Sequence, residues 1–134
     1  MADTFTLKII SPDREFYTGE VEMIELRTSE GEIGVYKGHI PLTAVIAPGV
    51  LRIHESGNNI KTAALISGFI EILPDEVSIL AEDVQWPDEI DEARAQEARV
   101  RAERRIAEKD SATNMNRAEL ALKRSIARIE AKNY

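Results

Sequence analysis

Phe5-Thr6-Leu7-Lys8-Ile9 alternates apolar and polar side chains, the period-two pattern of a strand with one buried face. Ser11-Pro12-Asp13 follows as a turn, because Pro presets φ and Asp can bond its own backbone. Glu22 to Arg27 places Ile24 and Leu26 on one face before a second turn at Ser29-Glu30-Gly31. A strand from Leu42 to Ile46 ends at Pro48-Gly49. Val50-Leu51-Arg52-Ile53-His54 alternates again and closes on Ser56-Gly57-Asn58-Asn59, a strong hairpin signal. Lys61–Ser67, Phe69–Leu73 and Val77–Ala81 complete the series, with a Pro74-Asp75 turn before the last. Short strands at regular intervals with turns between them predict a β-sandwich or barrel rather than βαβ units.

Beyond residue 87 the period changes. Asp88 after Pro87 is a predicted helix cap, and Glu89, Asp91 and Glu92 crowd a first turn where the helix dipole favours anions. From Ile90 to Lys109 there is no Gly or Pro, and Ala95, Ala98, Ala102 and Ile106 form a helical stripe. Asp110 to Asn116 reads as a polar loop. Asn116, with Glu119 three residues on, predicts the start of a second helix in capping-box style, with Ala118, Leu122, Ile126 and Ile129 as its stripe. Seams built largely from Ala bury little apolar area, so this hairpin is expected to open easily.

Composition sharpens the division. Residues 1–87 hold 14 acidic and 6 basic side chains, whereas residues 88–134 hold 10 and 11. All seven Gly and all five Pro precede residue 88. The expected organisation is therefore an all-β sandwich over residues 1–86 followed by an α-helical hairpin over residues 87–134. With 134 residues and a net charge of -7, the chain is unsuited to gripping nucleic acid, which demands excess Lys and Arg. No Cys is present, which excludes disulfides, thiolate metal sites and Cys nucleophiles. No apolar run is long enough for a membrane span, and Met1-Ala2-Asp3-Thr4 lacks the basic and apolar regions of a leader.

Candidate catalytic groups are sparse. His39, between Gly38 and Pro41, reads as a loop residue bonding backbone, and His54 as an exposed group at a hairpin end. Glu82-Asp83 and Asp75-Glu76 read as solubility charge. The glycines of residues 31–38 match no phosphate-binding loop, and no helix follows them. No enzyme activity is expected from the chain itself.

Gly31-Glu32-Ile33-Gly34-Val35-Tyr36-Lys37-Gly38-His39-Ile40-Pro41-Leu42 resembles the signature loop and strand of the epsilon subunit of F-type rotary ATP synthases. Ser67-Gly68-Phe69-Ile70-Glu71-Ile72, followed by Val77-Ser78-Ile79-Leu80-Ala81, is similar to that family's closing strands, and the two-helix tail fits as well. The resemblance implies a non-catalytic subunit of the central stalk, peripheral on the cytoplasmic face of a bacterial membrane. The mitochondrial counterpart would carry a transit peptide. It implies a sandwich that binds the gamma subunit and rests on the ring of c subunits. It also implies a tail that lies folded on the sandwich or extends along gamma to restrain ATP hydrolysis. Arg99, Arg101, Arg104, Arg105, Arg117, Lys123, Arg124, Arg128 and Lys132 would then form a basic arm facing the catalytic beta subunits, or simply a solvated helix face.

Ile90-Asp91-Glu92-Ala93-Arg94-Ala95 resembles the I/L-D-x-x-R-A motif of family members whose folded hairpin binds ATP. Asp91 and Arg94 share one helix face, and Arg101 lies two turns beyond Arg94. Arg124 and Arg128 share a face of the second helix. Folding the hairpin would gather these four guanidiniums around one triphosphate, with or without Mg²⁺, through planar forks suited to phosphate oxygens. The resemblance implies that the backbone near Ile90 and Asp91 faces the adenine, with the small Ala95 allowing close approach. The blander reading of Asp91 and Arg94 is an ion pair in the first turn. Gln85-Trp86 stands just before the helix, where ATP-binding relatives can carry an acidic residue, so a weaker polar contact is expected there. The alternative to an ATP sensor is a purely structural coupling and assembly subunit.

Overall fold

The computed structural model describes residues 3–108 and 114–134. Eight strands come first: β1 (Phe5–Ser11), β2 (Arg14–Val21), β3 (Met23–Thr28), β4 (Gly31–Tyr36), β5 (Leu42–Val45), β6 (Gly49–Glu55), β7 (Asn59–Ile72) and β8 (Glu76–Gln85). A short 3-10 turn at Pro87–Glu89 leads into helices α1 (Glu92–Glu108) and α2 (Met115–Lys132). The fold is the expected β-sandwich with a helical hairpin. Hydrogen bonding runs in the order β2-β1-β8-β7-β6-β3-β4, with β5 added to β7. Every pairing is antiparallel except β1 with β8.

The long strand β7 joins the two layers. Its first half pairs with β6 (Leu65 opposite Gly49) and its second half with β5 (Phe69 opposite Val45). Between them the register against β8 shifts at Ser67 and again at Gly68. Bulges of this kind bend a strand and let it pass from one layer to the other. The sequence pattern at Ser67-Gly68 predicts two strands, and the structure has one bent strand instead. Two further strands, β2 and all of β4, were not expected from alternation. In β2 only Phe16 and Val21 are buried, and in β4 only Val35, so neither carries a clear period.

Phe5, Leu7, Ile9, Ile24, Leu26, Leu51, Ile53, Leu65, Ile70, Ile72 and Ile79 fill the space between the layers. A second, smaller cluster joins Val50, Ala64 and Ile66 of the sheet to Ile90 and to Ala127 and Ala131 of α2. Residues Ala63 to Ile66 are therefore buried on both faces, the inner face under the opposite layer and the outer face under a helix. Among the described residues no helix is long and apolar enough to cross a membrane.

The helix ends differ from expectation. Pro87, Asp88 and Glu89 form the 3-10 turn, in which the Glu89 carboxylate accepts the Trp86 N–H at 2.9 Å. Asp91, not Asp88, caps α1, its Oδ1 accepting the Arg94 N–H at 3.1 Å. Asn114, not Asn116, caps α2 by accepting the Arg117 N–H at 3.0 Å. Most of the expected polar loop at 110–116 lies outside the described residues. On α1, Ala95 and Ala102 are buried as expected, while Ala98 and Ile106 are half-buried. On α2 the buried residues are Ala118, Ser125, Ala127 and Ala131, whereas Ile126 is 38% exposed. The expected stripe faced α1 alone. Packing on both α1 and the sheet rotates the buried arc past Ile126.

The core edge holds a titration that can be measured. Trp86 stacks on Phe16 with ring centroids 4.2 Å apart and meets Tyr17 edge-on. The Tyr17 hydroxyl donates to Glu55. Burial first, and this hydrogen bond second, raise the Tyr17 phenol above its ordinary value. The folded state thus holds the phenolic proton more tightly than the unfolded chain. That contribution is complete below about pH 10 and is lost as pH rises through the higher folded value. Tyr17→Phe should remove a late-ionising component from an ultraviolet tyrosinate titration and flatten the fall of stability above pH 10. An unchanged alkaline titration would contradict this.

Candidate functional site

Where α1, α2 and β8 converge, they enclose a cleft of about 500 Å³, lined by Asp83, Gln85, Glu89, Asp91, Arg94, Ala95, Ala98, Arg101 and Arg128. This volume lies within the range of about 300–1,000 Å³ typical of small-molecule sites. Five of the seven candidate residues, Asp91, Arg94, Ala95, Arg101 and Arg128, are among the lining. The other two are placed differently. Ile90 is 4% exposed and belongs to the cluster beneath α2. Arg124 is exposed one turn from Arg128 and is not part of the lining.

Local sequence explains how the three guanidiniums meet. Asp91 ends the extended segment and fixes the start of α1, so Arg94 falls in the first turn. Arg101 lies two turns later on the same side. Ala95 and Ala98, between them, leave room that larger side chains would fill. Arg128 comes from the C-terminal part of α2, which is held to the sheet by the Ala127 and Ala131 contacts.

The cleft is not purely basic. Three carboxylates, Asp83, Glu89 and Asp91, stand among the three guanidiniums, so the lining is formally neutral. Each carboxylate has a distinct engagement. Glu89 turns away to Arg14, which donates two hydrogen bonds at 2.8 and 2.7 Å. That pairing first, and the Trp86 N–H second, hold its carboxyl below the usual range. Asp91 accepts from the backbone of Arg94, so a cap stands where the blander reading puts an ion pair between these two side chains. Asp83 accepts from Arg128, whose Nε also donates to Gln85 Oε1 at 3.0 Å. Asp83 therefore corrects the reading of Glu82-Asp83 as solubility charge. A bulge before it reverses the strand's parity, which sends Asp83 and Gln85 towards the helices. Among the described residues, neither Arg94 nor Arg101 has a carboxylate within salt-bridge distance.

The end of α2 is fastened as well. Lys132 Nζ donates to the Pro87 carbonyl at 3.0 Å, and Asn133 donates to Glu92. The Tyr134 ring lies 5.7 Å from the Arg52 guanidinium. Arg52 in turn pairs with Glu25, near His54. His54 is accordingly half-buried rather than exposed. His39 is placed as expected, its Nδ1 2.7 Å from the Ile40 carbonyl oxygen.

Away from the cleft, one sheet face carries an uncovered apolar row. Val45 is opposite Phe69, Phe69 opposite Leu80, and Leu80 opposite Ile10, across β5, β7, β8 and β1. Their exposures are 50%, 51%, 57% and 39% in that order. The loops nearby add Tyr36 and Ile40 at 61% and 74%.

Two family models match the chain. One, described as the beta-sandwich domain of the ATP synthase delta/epsilon chain, covers residues 4–87. The other, described as the long alpha-helix domain of the same chain, covers residues 88–133. Among curated proteins, the ATP synthase epsilon chain of Caldanaerobacter subterraneus subsp. tengcongensis is 45% identical over 97% of this chain and 94% of its own length. That of Bacillus cytotoxicus is 40% identical over 97% of both. A chain in the Euglena gracilis mitochondrial ATP synthase OSCP/F1/c-ring structure superposes with a TM-score of 0.84 at 26% identity, covering 98% of this chain and 82% of that one. A chain in the central stalk/c-ring structure of the Tetrahymena thermophila mitochondrial ATP synthase shares the fold, with a TM-score of 0.64 at 14% identity over 98% of each.

Proposed function

Because the chain belongs to the ATP synthase delta/epsilon family, we propose that it is a rotor subunit whose C-terminal hairpin senses ATP. The observation that carries this reading is the cleft whose Arg94 and Arg101 come from α1 and Arg128 from α2, against a floor from β8. A polyphosphate held by all three elements binds only the folded hairpin, and so shifts the population towards it. Guanidinium forks match phosphate oxygens bidentately, and Ala95 and Ala98 leave space for a planar base. Arg124, one turn from Arg128, would add long-range attraction rather than direct contact.

The seam that ligand binding must reinforce is small. The α2 side of its apolar part consists of Ala127 and Ala131, and the Arg128–Asp83 pair beside it is partly exposed, so docking of the hairpin is easily biased. Extended, the tail would carry its basic residues towards the catalytic beta subunits and restrain ATP hydrolysis. The cleft itself is read as a sensor rather than a catalytic centre. Its carboxylates are engaged by Arg128, Arg14 and the α1 backbone, which leaves none poised to activate water.

The apolar row Val45–Phe69–Leu80–Ile10 supports docking of the sandwich to gamma, and the Tyr36 and Ile40 loop supports contact with the c ring. Those contacts would hold the subunit peripherally on the cytoplasmic face of the membrane. They would serve equally the alternative, a structural coupling subunit without nucleotide sensing.

Thermal melting of the full chain separates the two. ATP at 100 times its dissociation constant should stabilise the fold by about 2.7 kcal/mol. Arg94→Ala should abolish the shift, Arg124→Ala should reduce it modestly, and Lys61→Ala on β7 should leave it intact. A melt unaffected by millimolar ATP would leave only the structural role.

A further inference from the structure

The three guanidiniums of the cleft are not equivalent. Arg128 is engaged on two sides by β8: its Nη2 donates to the Asp83 carboxylate and its Nε to Gln85. Arg94 and Arg101 have no such carboxylate among the described residues. Glu89 and Asp91 are directed to Arg14 and to the start of α1. Asp83 is thus the one cleft carboxylate, among the described residues, that occupies a cleft guanidinium.

A carboxylate on a guanidinium takes the same N–H donors that a phosphate oxygen would take. We propose that Asp83 is an internal competitor, a built-in anion that stands in for ligand phosphate on Arg128 and sets the concentration at which a nucleoside polyphosphate binds. This rests on the ATP-sensing reading and specifies how that site is tuned. The pair spans β8 and α2, so Asp83 has two opposed effects. It helps fasten the unliganded hairpin to the sandwich, and it weakens polyanion binding by occupation and by like-charge repulsion. The exchange is feasible because the pair is only partly buried, with side-chain exposures of 26% for Arg128 and 41% for Asp83. Once displaced, Asp83 can turn to water without the full desolvation cost of a buried carboxylate.

The sign of one substitution distinguishes this from other roles. Asp83→Asn keeps shape and removes charge. Calorimetric titration of the full chain, in chelator without divalent cations, would use ATP and inorganic tripolyphosphate as probes. Asp83→Asn should bind both about tenfold more tightly than the unmodified protein, which corresponds to ~1.4 kcal/mol. Asp83→Glu, which restores the anion, should return affinity towards the original value. Without ligand, amide exchange along α2 should be faster in Asp83→Asn. Unchanged or weaker affinity in Asp83→Asn, with binding retained by the unmodified protein, would overturn the proposal; weakening would mean that fastening of the hairpin, or a contact of Asp83 with the ligand, outweighs competition for Arg128. If neither form binds either probe, and the unmodified protein melts identically with and without ATP, the sensing reading itself fails and takes the competitor with it.

Discussion

Gly68→Ala is expected to lower the stability of the sandwich by about 4 kcal/mol, a large part of the roughly 5–15 kcal/mol that holds a domain of this size together. Two costs add. Gly68 sits at φ +135, a conformation that L side chains rarely adopt. Imposing it on alanine costs of order 1–3 kcal/mol. The added Cβ would also stand 2.1 Å from the Leu80 carbonyl oxygen and 2.9 Å from the Ala81 Cα. Both are backbone atoms of β8 and cannot rotate aside, so β7 and β8 must separate at the bend that links the layers. Overpacking of this kind costs typically 1–3 kcal/mol. Circular-dichroism melting should show the midpoint falling by roughly 10–20 °C. Gly57→Ala supplies the control. Gly57 also has positive φ, at +81, but a Cβ there meets nothing within 4 Å, so only the conformational cost of about 1 kcal/mol applies. Equal losses at the two positions would show that the close approach at Gly68 is unimportant.

The same glycine marks the limit of what alternation can convey. Phe5 to Ile9 and Val50 to His54 are legible as strands because one face is buried and the other is wet or lightly covered. Ser67-Gly68 carries the chemistry of a turn, yet neighbouring strands hold it as a bulge inside β7. Nothing in a local window distinguishes the two. β2 and β4 are illegible for another reason. Gly19, Gly31 and Gly34 interrupt them, and their few buried side chains give no period. Their strand character comes from pairing with β1 and β3.

The candidate site divides along similar lines. Arg94 is marked by the motif that residues 90–95 resemble, and helical spacing then adds Arg101, because an α-helix fixes which side chains share a face. Arg128 follows once two helices fold back on each other. Arg124 and Ile90 share the motif or the spacing, but the rotation of α2 onto the sheet exposes the first and the 3-10 turn buries the second. Asp83 is hidden by the bulge, which reverses the alternation established by Val77, Ile79 and Ala81 so that Val84 points inward and Asp83 outward. The signal in the sequence is the break in apolar alternation, from Val77, Ile79 and Ala81 to Val84 after two acids. The run Ala63 to Ile66 carries a clearer message. Four successive apolar residues in a strand mean that both faces are covered, which places a helix on the sheet.

That coverage leads to the second large effect. Ala127→Glu should release α2 from the sandwich while leaving the sandwich folded. Ala127 is 2% exposed and faces Val50, Ala64 and Ile66, with no cationic group in that cluster. A carboxylate there would be buried without a partner, at a cost of several kcal/mol. Undocking the hairpin avoids the penalty and gives up an alanine-rich seam together with part-exposed polar contacts such as Arg128–Asp83 and Lys132–Pro87, whose groups water can satisfy, so undocking wins. The interlayer core contains no residue of α2, which is why the strands should survive. Amide exchange across α2 should approach that of an unprotected helix, while β1 and β7 keep their protection. Ile126→Glu, one residue earlier at a position 38% exposed, should change stability by no more than about 0.5 kcal/mol. The decisive comparison adds ATP. Ala127 contributes nothing to the cleft lining. If the ligand is held jointly by both helices and β8, Ala127→Glu should nevertheless lose the ATP-dependent rise in melting temperature. Retention of that rise by a chain whose α2 exchanges freely would mean that ATP binds elsewhere, and that opening of the tail and nucleotide occupancy are independent events.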